Sequence, residues 1–270
     1  MSEREQIAGR EPTAERDGVA DRGEREPLRL VLLSAGTGNP SSTRLLGDRV
    51  AQRTLDLLRE SDAPATVNAI ELGPLAVDIA RATVSGVNSA ELQSATRRLA
   101  AADGVIAATP VYKAGISGLF KSFVDLLDND LLVAKPILLA ATAGSARHAL
   151  VVDEQMRPLF AYMRALSLPT SVFATPEDWA ATDLGERVNR AATELSVLLR
   201  TGVGREIADR NWSAHQHEFA GNATRSERTS ADVDFDSDLM RLATGGAPWP
   251  PPTGDASGRS SSTSDRSLGG

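Results

Sequence analysis

Five short apolar segments, each bounded by turn residues, constrain the fold of this chain more than any other feature of its sequence. Between them lie segments with apolar residues at three-to-four spacing, which is typical of amphipathic helices. Strands that alternate with helices in this way indicate βαβ units around a parallel sheet. The predicted strands are LRLVLLS (28–34), ATVNAIEL (65–72), GVIAATP (104–110), PILLAAT (136–142) and TSVFAT (170–175).

The intervening segments predict helices on both faces of this sheet. Because parallel crossovers are right-handed, the commonest small solution for five strands is the order 2-1-3-4-5. We therefore predict an α/β fold, a flavodoxin-like three-layer sandwich with a five-stranded parallel sheet. In such a sheet ligands bind outside the carboxyl ends of the strands, at the switch point of the strand order. The predicted helices are 42–59, 88–102, 116–127, 148–167 and 184–200.

The two ends of the chain differ in composition from its centre. Residues 1–27 are about half charged and nearly free of large apolar side chains, which predicts a disordered tail. Residues 205–270 are rich in Gly, Pro and Ser, and we expect them to be mostly disordered as well. The remainder, 28–204, is long enough to form one ordinary domain.

The overall composition excludes several classes of protein. The chain has no cysteine and three histidines, so it lacks disulfides and thiolate ligands, and we predict no metal site. Its net charge of −7 provides no basic stripe to neutralise nucleic-acid phosphates. No apolar run approaches the roughly 20 residues that span a bilayer. We expect a cytoplasmic protein that binds small molecules, with neither a nucleic acid nor a membrane as partner.

The loop after the first predicted strand, SAGTGNPSSTRLL, has the composition of an anion-binding turn. Ser41, Ser42 and Thr43 offer hydroxyls at the start of a helix, where free N–H groups and the helix dipole favour an anion such as a phosphate. Arg44 adds a positive charge. The same residues also fit an ordinary N-cap after a glycine turn. The loop has neither the P-loop lysine nor the GxGxxG spacing of a dinucleotide fold.

Two further loops follow the third and fourth strands at the same edge of the predicted sheet. In TPVYKAGISGLFKSFVDLL, Tyr112 can lie against a flat ring, although a tyrosine in a loop is often ordinary packing. Lys113 beside it is either solvated or close to a phosphate. In ATAGSARHAL, the residues Thr142, Gly144 and Ser145 either present N–H groups to an anionic ring edge or form a capped glycine turn.

With these loops in view, the sequence resembles the NADPH-dependent FMN reductases, and within them the reductase components of two-component flavin monooxygenases. The loop after the third strand is similar to the P-x-Y loop and following L/F-K-x-x-x-D helix of that family. The loop after the fourth strand is similar to its T-G-G-S-x-x-H loop and D-x-x-x-x-P helix. The matching residues are Pro110, Tyr112, Phe120, Lys121, Asp125, Thr142, Gly144, Ser145, His148, Asp153 and Pro158.

The resemblance implies FMN and NADPH (or NADH) as cofactors, and it implies three groups of FMN-binding residues. The residues that would hold the FMN phosphate are Ser34, Ser41, Ser42 and Thr43. The residues along the isoalloxazine are Pro110, Val111, Tyr112 and Lys113. Its polar edge meets Thr142, Gly144 and Ser145. The chain departs from the family at Ala143, which replaces a glycine, and at residues 36–38, where many relatives carry an arginine.

The resemblance further implies an NAD(P)H:FMN oxidoreductase that supplies FMNH2 to a partner monooxygenase and forms a homodimer or homotetramer. Hydride transfer between two stacked cofactors requires no catalytic acid or base from the protein. Two alternatives use the same fold. One is an NAD(P)H:quinone or azo reductase that retains its FMN. The other is a flavodoxin-type electron carrier that binds FMN without any activity of its own.

Overall fold

The structure, a computed structural model, describes residues 26–211. The strands are β1 (Leu28–Ser34), β2 (Ala65–Glu71), β3 (Gly104–Tyr112), β4 (Gly115–Ile116), β5 (Pro136–Thr142), β6 (Leu166–Ser167) and β7 (Val172–Ala174). The sheet has the strand order β2-β1-β3-β5 followed by the short strands β6 and β7, and β4 forms an antiparallel hairpin with β3. All other pairs are parallel.

This order confirms the predicted flavodoxin-like sheet, with β6 and β7 together in the place of the fifth strand. The helices are α1 (Ser42–Arg59), α2 (Ala76–Ser85), α3 (Ala90–Ala100), α4 (Gly118–Asp125), α5 (Arg157–Tyr162), α6 (Thr182–Thr201) and α7 (Val203–Asn211). A π-helical turn, Val152–Met156, precedes α5. The sequence patterns do not predict α2, since only Ile79 and Ala82 of this helix are buried.

Side chains from the two faces of the sheet form separate cores, which gives the three layers. Along β1, Val31 and Leu33 enter the core beneath α2, α3, α4 and α5. Leu30 and Leu32 enter the core beneath α1 and α6. Successive side chains of a strand point to opposite faces, so a strand covered on both faces is apolar where it is covered, as residues 30–33 are.

Helix α1 packs against the side chain of Leu32 in β1 at a glycine, Gly47. A Cβ at Gly47 would lie 2.5 Å from the Cδ1 of Leu32. No side chain larger than hydrogen fits there without displacing α1 or the leucine.

The fifth strand is interrupted, in contrast to the continuous strand predicted over 170–175. Leu166–Ser167 pairs with the beginning of β5, and Val172–Ala174 pairs with its end. Pro169 lies between the two pieces and has no N–H to donate to a ladder. The helix predicted over 148–167 is also wrong at its carboxyl end, because its last residues form β6.

The final described helix, α7, continues the chain past residue 204, where fading periodicity predicts the end of the domain. The predicted tails, 1–27 and 205–270, otherwise lie outside the described residues. Within 26–211, no helix is both long enough and apolar enough to cross a membrane.

Candidate functional site

A cavity of about 280 Å³ lies at the carboxyl edge of the sheet, where the strand order switches between β1 and β3. The loops after β1, β3, β5 and β7 form its walls. The structure brings together most of the residues that the sequence assigns to FMN. Those lining the cavity are Ser41, Ser42, Thr43, Pro110, Val111, Tyr112, Thr142 and Gly144.

The first wall is a tight turn at the amino end of α1. Ser41 is the N-cap of this helix, and its Oγ accepts a hydrogen bond from the N–H of Arg44 at 3.1 Å. Gly36 packs directly against that hydroxyl, since a Cβ at this position would lie 1.9 Å from Oγ. The first turn of α1 contains no acidic residue. Free N–H groups and the positive end of the helix dipole therefore face the cavity without a competing carboxylate.

Ser34, which the resemblance assigns to the phosphate, and Arg44, whose charge we expected to favour an anion, lie outside the cavity lining. Ser34 is buried beneath the loop, and its Oγ accepts a hydrogen bond from the N–H of Gly36 at 3.4 Å. The guanidinium of Arg44 pairs with Asp48 at 2.8 Å and with Glu71 at the end of β2. In this arrangement Ser34 supports the loop from below, and the charge of Arg44 is neutralised by two carboxylates.

The second wall is the hairpin formed by β3 and β4, called here the 111–116 hairpin. Its Tyr112 is 53% exposed, and the hydroxyl lies 3.5 Å from the Oγ1 of Thr37 in the first loop. The ring of Tyr112 thus spans the opening between the two loops. Lys113, at the tip of the hairpin, is exposed and does not line the cavity.

Thr43 and Thr142 form a direct contact between the first and third loops. Their hydroxyl oxygens lie 2.6 Å apart, and both side chains are buried. The sequence assigns these residues to opposite ends of the FMN, whereas the structure joins them across the floor of the cavity. Since each hydroxyl is hydrogen-bonded to the other, the pair ties α1 to the end of β5.

The third wall follows β5 and is attached to β7. The N–H of Ala143 donates to the carbonyl of Ala174 at 3.1 Å. Gly144 lines the cavity and has open space around it, because a Cβ there would meet nothing within 4 Å. Ser145 begins a short 3₁₀ turn, Ala146–His148, and does not line the cavity.

The fourth wall contains functional candidates that the sequence patterns did not predict. Thr175, Pro176 and Trp179 line the cavity, and Trp179 also packs against the core beneath α1 and α6. Asp178 holds this segment in place, since its Oδ2 accepts from the N–H of Thr175 at 2.7 Å and from the hydroxyl at 2.9 Å. The rule that ligands bind after the strands applies to this loop too and could have indicated it.

A larger cavity, about 770 Å³, lies at the opposite, amino edge of the sheet. Lys135 lines this cavity and donates hydrogen bonds to the carbonyls of Leu99, Ala100 and Ala102 at the carboxyl end of α3. Burial lowers the pKa of Lys135 from 10.5 to about 8. The lysine therefore caps a helix, and ligands of a parallel sheet bind at the other edge. We assign the functional site to the smaller cavity.

The described residues contain no group of three His, Asp or Glu side chains placed to hold a metal ion. The cavity instead fits the parts of FMN. Glycine-rich backbone and the amino end of an 18-residue helix suit a phosphate, and Tyr112 and Trp179 offer flat faces to a ring. The strand order, with such a cavity at its switch point, defines a flavodoxin-like α/β protein with a candidate ligand site at the carboxyl edge of the sheet.

Comparison with known proteins identifies the family within this class. The family model described as NADPH-dependent FMN reductase matches residues 28–180, more than half of the chain. The chain belongs to this family. The match confirms the predicted family and class of enzyme, and FMN and a nicotinamide nucleotide are the cofactors for which the family is named.

Individual relatives agree with this assignment. The "NADH-dependent FMN reductase SfnF" of Pseudomonas fluorescens is 39% identical over 65% of this chain and 94% of its own length. An "FMN reductase (NADPH)" of Pseudomonas aeruginosa is 38% identical over 64% of this chain and 92% of its own. Among solved structures, an oxidoreductase of Corynebacterium diphtheriae is 42% identical with a TM-score of 0.63, covering 65% of this chain and 98% of that one.

Proposed function

We propose that this protein reduces FMN with a nicotinamide nucleotide and releases FMNH2 to a separate monooxygenase. The observation that carries this proposal is the open cavity at the switch point, lined almost entirely by uncharged groups. Among its described lining residues, Tyr112 is the one with a titratable side chain. Bound FMN supplies a ring that accepts hydride from a stacked nicotinamide, so the protein needs to orient two cofactors rather than to move a proton.

Each wall then has a separate part in binding. The N–H groups at the start of α1, with the hydroxyls of Ser41 and Ser42, hold the phosphate. The 111–116 hairpin carries Val111 and Tyr112 along the isoalloxazine, and backbone N–H groups near Gly144 stabilise negative charge at its polar edge. The Thr43–Thr142 pair keeps these walls at a fixed separation.

The exposure of the site supports release of the flavin. Tyr112 is half-exposed, and the fit of the ring depends on loops rather than on burial in the core. A shallow site of this kind contributes less apolar burial to affinity than a closed one, which favours exchange of FMN with solution. A reductase that passes reduced flavin to another enzyme requires such exchange, whereas a quinone reductase or an electron carrier retains its FMN.

The test is to follow nicotinamide oxidation by the purified full chain under anaerobic conditions without FMN, with catalytic FMN and with excess FMN. Saturable dependence on added FMN, with reduced flavin eluting free of protein in gel filtration, is the expected result. Flavin that stays bound through many turnovers would contradict release and favour the quinone reductase. Binding without any oxidation would favour the carrier.

The same assay with NADH and NADPH gives the nucleotide preference. The relatives above are named for either nucleotide, and the chain has no fingerprint that selects one. Gel filtration in that experiment also gives the oligomeric state, for which the family resemblance predicts a dimer or a tetramer.

A further inference from the structure

The tip of the 111–116 hairpin has an unfavourable backbone conformation. Lys113 and Ala114 have φ values of 51° and 62°, in the left-handed region. Two-residue hairpins of this type favour Asn-Gly or Gly-Gly, because a Cβ in the left-handed region is crowded by the following carbonyl. Neither residue here is a glycine. Strained conformations of this kind persist where the surrounding structure holds them, and they cluster at ligand sites.

One side chain from outside the hairpin contacts its backbone, at the turn and on β4. The Oε1 of Gln155 accepts a hydrogen bond from the N–H of Ile116 at 3.0 Å. Its Nε2 donates to the carbonyl of Ala114 at 3.2 Å. The amide also lies close to Gly115, because a Cβ there would lie 3.3 Å from Oε1 and 3.8 Å from Nε2. Both polar atoms of this amide are thus directed at three consecutive residues of the hairpin.

The position of Gln155 on the chain explains this reach. It lies in the π-helical turn Val152–Met156, which widens the helix by one residue before α5 begins. Val152 and Met156 on either side are buried in the core, so the turn is fixed to the body of the domain. π-Helical turns occur frequently at functional sites. Gln155 itself is exposed and does not line the cavity.

We propose that Gln155 is a positioning residue for FMN, which acts by holding the 111–116 hairpin and with it Val111 and Tyr112. This inference rests on the proposed binding of the isoalloxazine along that hairpin. Neighbouring charges do not duplicate the role, since Asp153 pairs with Arg157 at 2.7 Å. A glutamine suits the task because it accepts and donates at once. Glutamate accepts from Ile116 but does not donate to Ala114, and leucine does neither.

The strained tip provides a readout that is independent of activity, because trypsin cleaves after Lys113. The experiment compares the full-length wild type with Gln155→Leu, Gln155→Glu and the matched control Gln52→Leu. Gln52 is an exposed glutamine whose Nε2 bonds to Asp56 on α1, away from the hairpin. Limited trypsin digestion of the apo protein is followed by mass spectrometry, and the Michaelis constants for FMN and for the nicotinamide nucleotide are measured separately.

We expect Gln155→Leu to cleave after Lys113 about tenfold faster than wild type and to raise the KM for FMN by about the same factor. Gln155→Glu should fall between the two, and Gln52→Leu should match wild type. The KM for the nicotinamide nucleotide and cleavage at other sites should not change. Thermal melting identifies any variant that does not fold. If Gln155→Leu does not fold, the cleavage rate and the KM for FMN of Gln155→Glu test the proposal.

Unchanged cleavage after Lys113 in both Gln155 variants would overturn the proposal that Gln155 holds the 111–116 hairpin. Faster cleavage with an unchanged KM for FMN would show that Gln155 holds the hairpin without positioning flavin, and this also overturns the proposal. These two outcomes differ from a failure of the proposed function, because in that case the wild type itself would not oxidise the nicotinamide nucleotide with FMN.

Discussion

Replacing Gly36 by alanine should destabilise the protein through one hydroxyl group, that of Ser41. The new Cβ would lie 1.9 Å from the Oγ of Ser41, so the serine must rotate. Rotation breaks the hydrogen bond that Oγ accepts from the N–H of Arg44, which caps α1. The φ of Gly36 lies outside the left-handed region, so alanine is compatible with the backbone itself.

The magnitude follows from these contacts. Loss of a serine N-cap costs about 1 kcal/mol. The Cβ of Thr43, at 3.1 Å, adds some crowding. Against this, alanine reduces the conformational freedom of the unfolded chain, which stabilises by about 0.5 kcal/mol. Gly36→Ala should therefore lower the free energy of unfolding by about 0.5–1 kcal/mol in the wild type.

A double-mutant cycle isolates the cause. Ser41→Ala alone should lower the free energy of unfolding by about 1 kcal/mol, because it removes the same N-cap hydrogen bond. In that background the clashing oxygen is absent, so adding Gly36→Ala should change stability by less than about 0.5 kcal/mol in either direction. Urea denaturation of the four proteins at one pH measures this coupling. Gly118→Ala is the control, since a Cβ there meets nothing within 4 Å.

An equal cost of Gly36→Ala in both backgrounds would refute this account. The glycine would then be required for a reason unrelated to the hydroxyl of Ser41, such as crowding against Thr43.

Three further predictions concern the floor, the fourth wall and the amino edge. Thr43→Val and Thr142→Val should each lower the free energy of unfolding by about 1–3 kcal/mol, because each leaves a buried hydroxyl unpaired. The double variant should lose less than the sum of the two single losses. Urea denaturation measures all three variants, and additive losses would contradict the pairing. Trp179→Ala should weaken FMN binding about fivefold, whereas Trp179→Phe should retain most of the affinity. Flavin fluorescence measures the affinity. Equal losses of affinity in the two variants would argue against an aromatic side chain in the fourth wall. Burial lowers the pKa of Lys135, so the folded protein loses this proton before the unfolded chain does, and the free energy of unfolding should rise between about pH 8 and pH 10.5. Lys135→Met should lack that rise, and a rise of the same size in the variant would show that other groups cause it.

The sequence predicted the parts of the fold that local patterns determine. Strand β1 and helix α1 have the predicted bounds, because a continuous apolar run and the Ser41 cap mark their ends. The meeting of the loops at one edge also follows from sequence, since parallel strands place their carboxyl ends together. The wall formed by the loop after β1 and the start of α1 was therefore predictable from residues that are close in the chain.

Features that depend on distant residues were not predictable in this way. Thr43 and Thr142 are 99 positions apart, and nothing in either loop indicates that their hydroxyls meet. The same holds for Arg44, whose charge is directed to Glu71 of the neighbouring strand instead of to the cavity. Helix α2 was missed because it buries a narrow apolar face, and periodicity detects wide faces best.

The interrupted fifth strand has a consequence for the behaviour of the protein in concentrated solution. An edge strand exposes a row of unpaired N–H and C=O groups, which is a template for strand addition by another chain. Here the edge consists of Leu166–Ser167 and Val172–Ala174, separated by a segment containing Pro169. Neither piece is long enough to offer a continuous ladder. We therefore expect the break at Pro169 to hinder edge-to-edge pairing with another chain, and we expect Pro169→Val to increase light scattering by concentrated solutions of the protein.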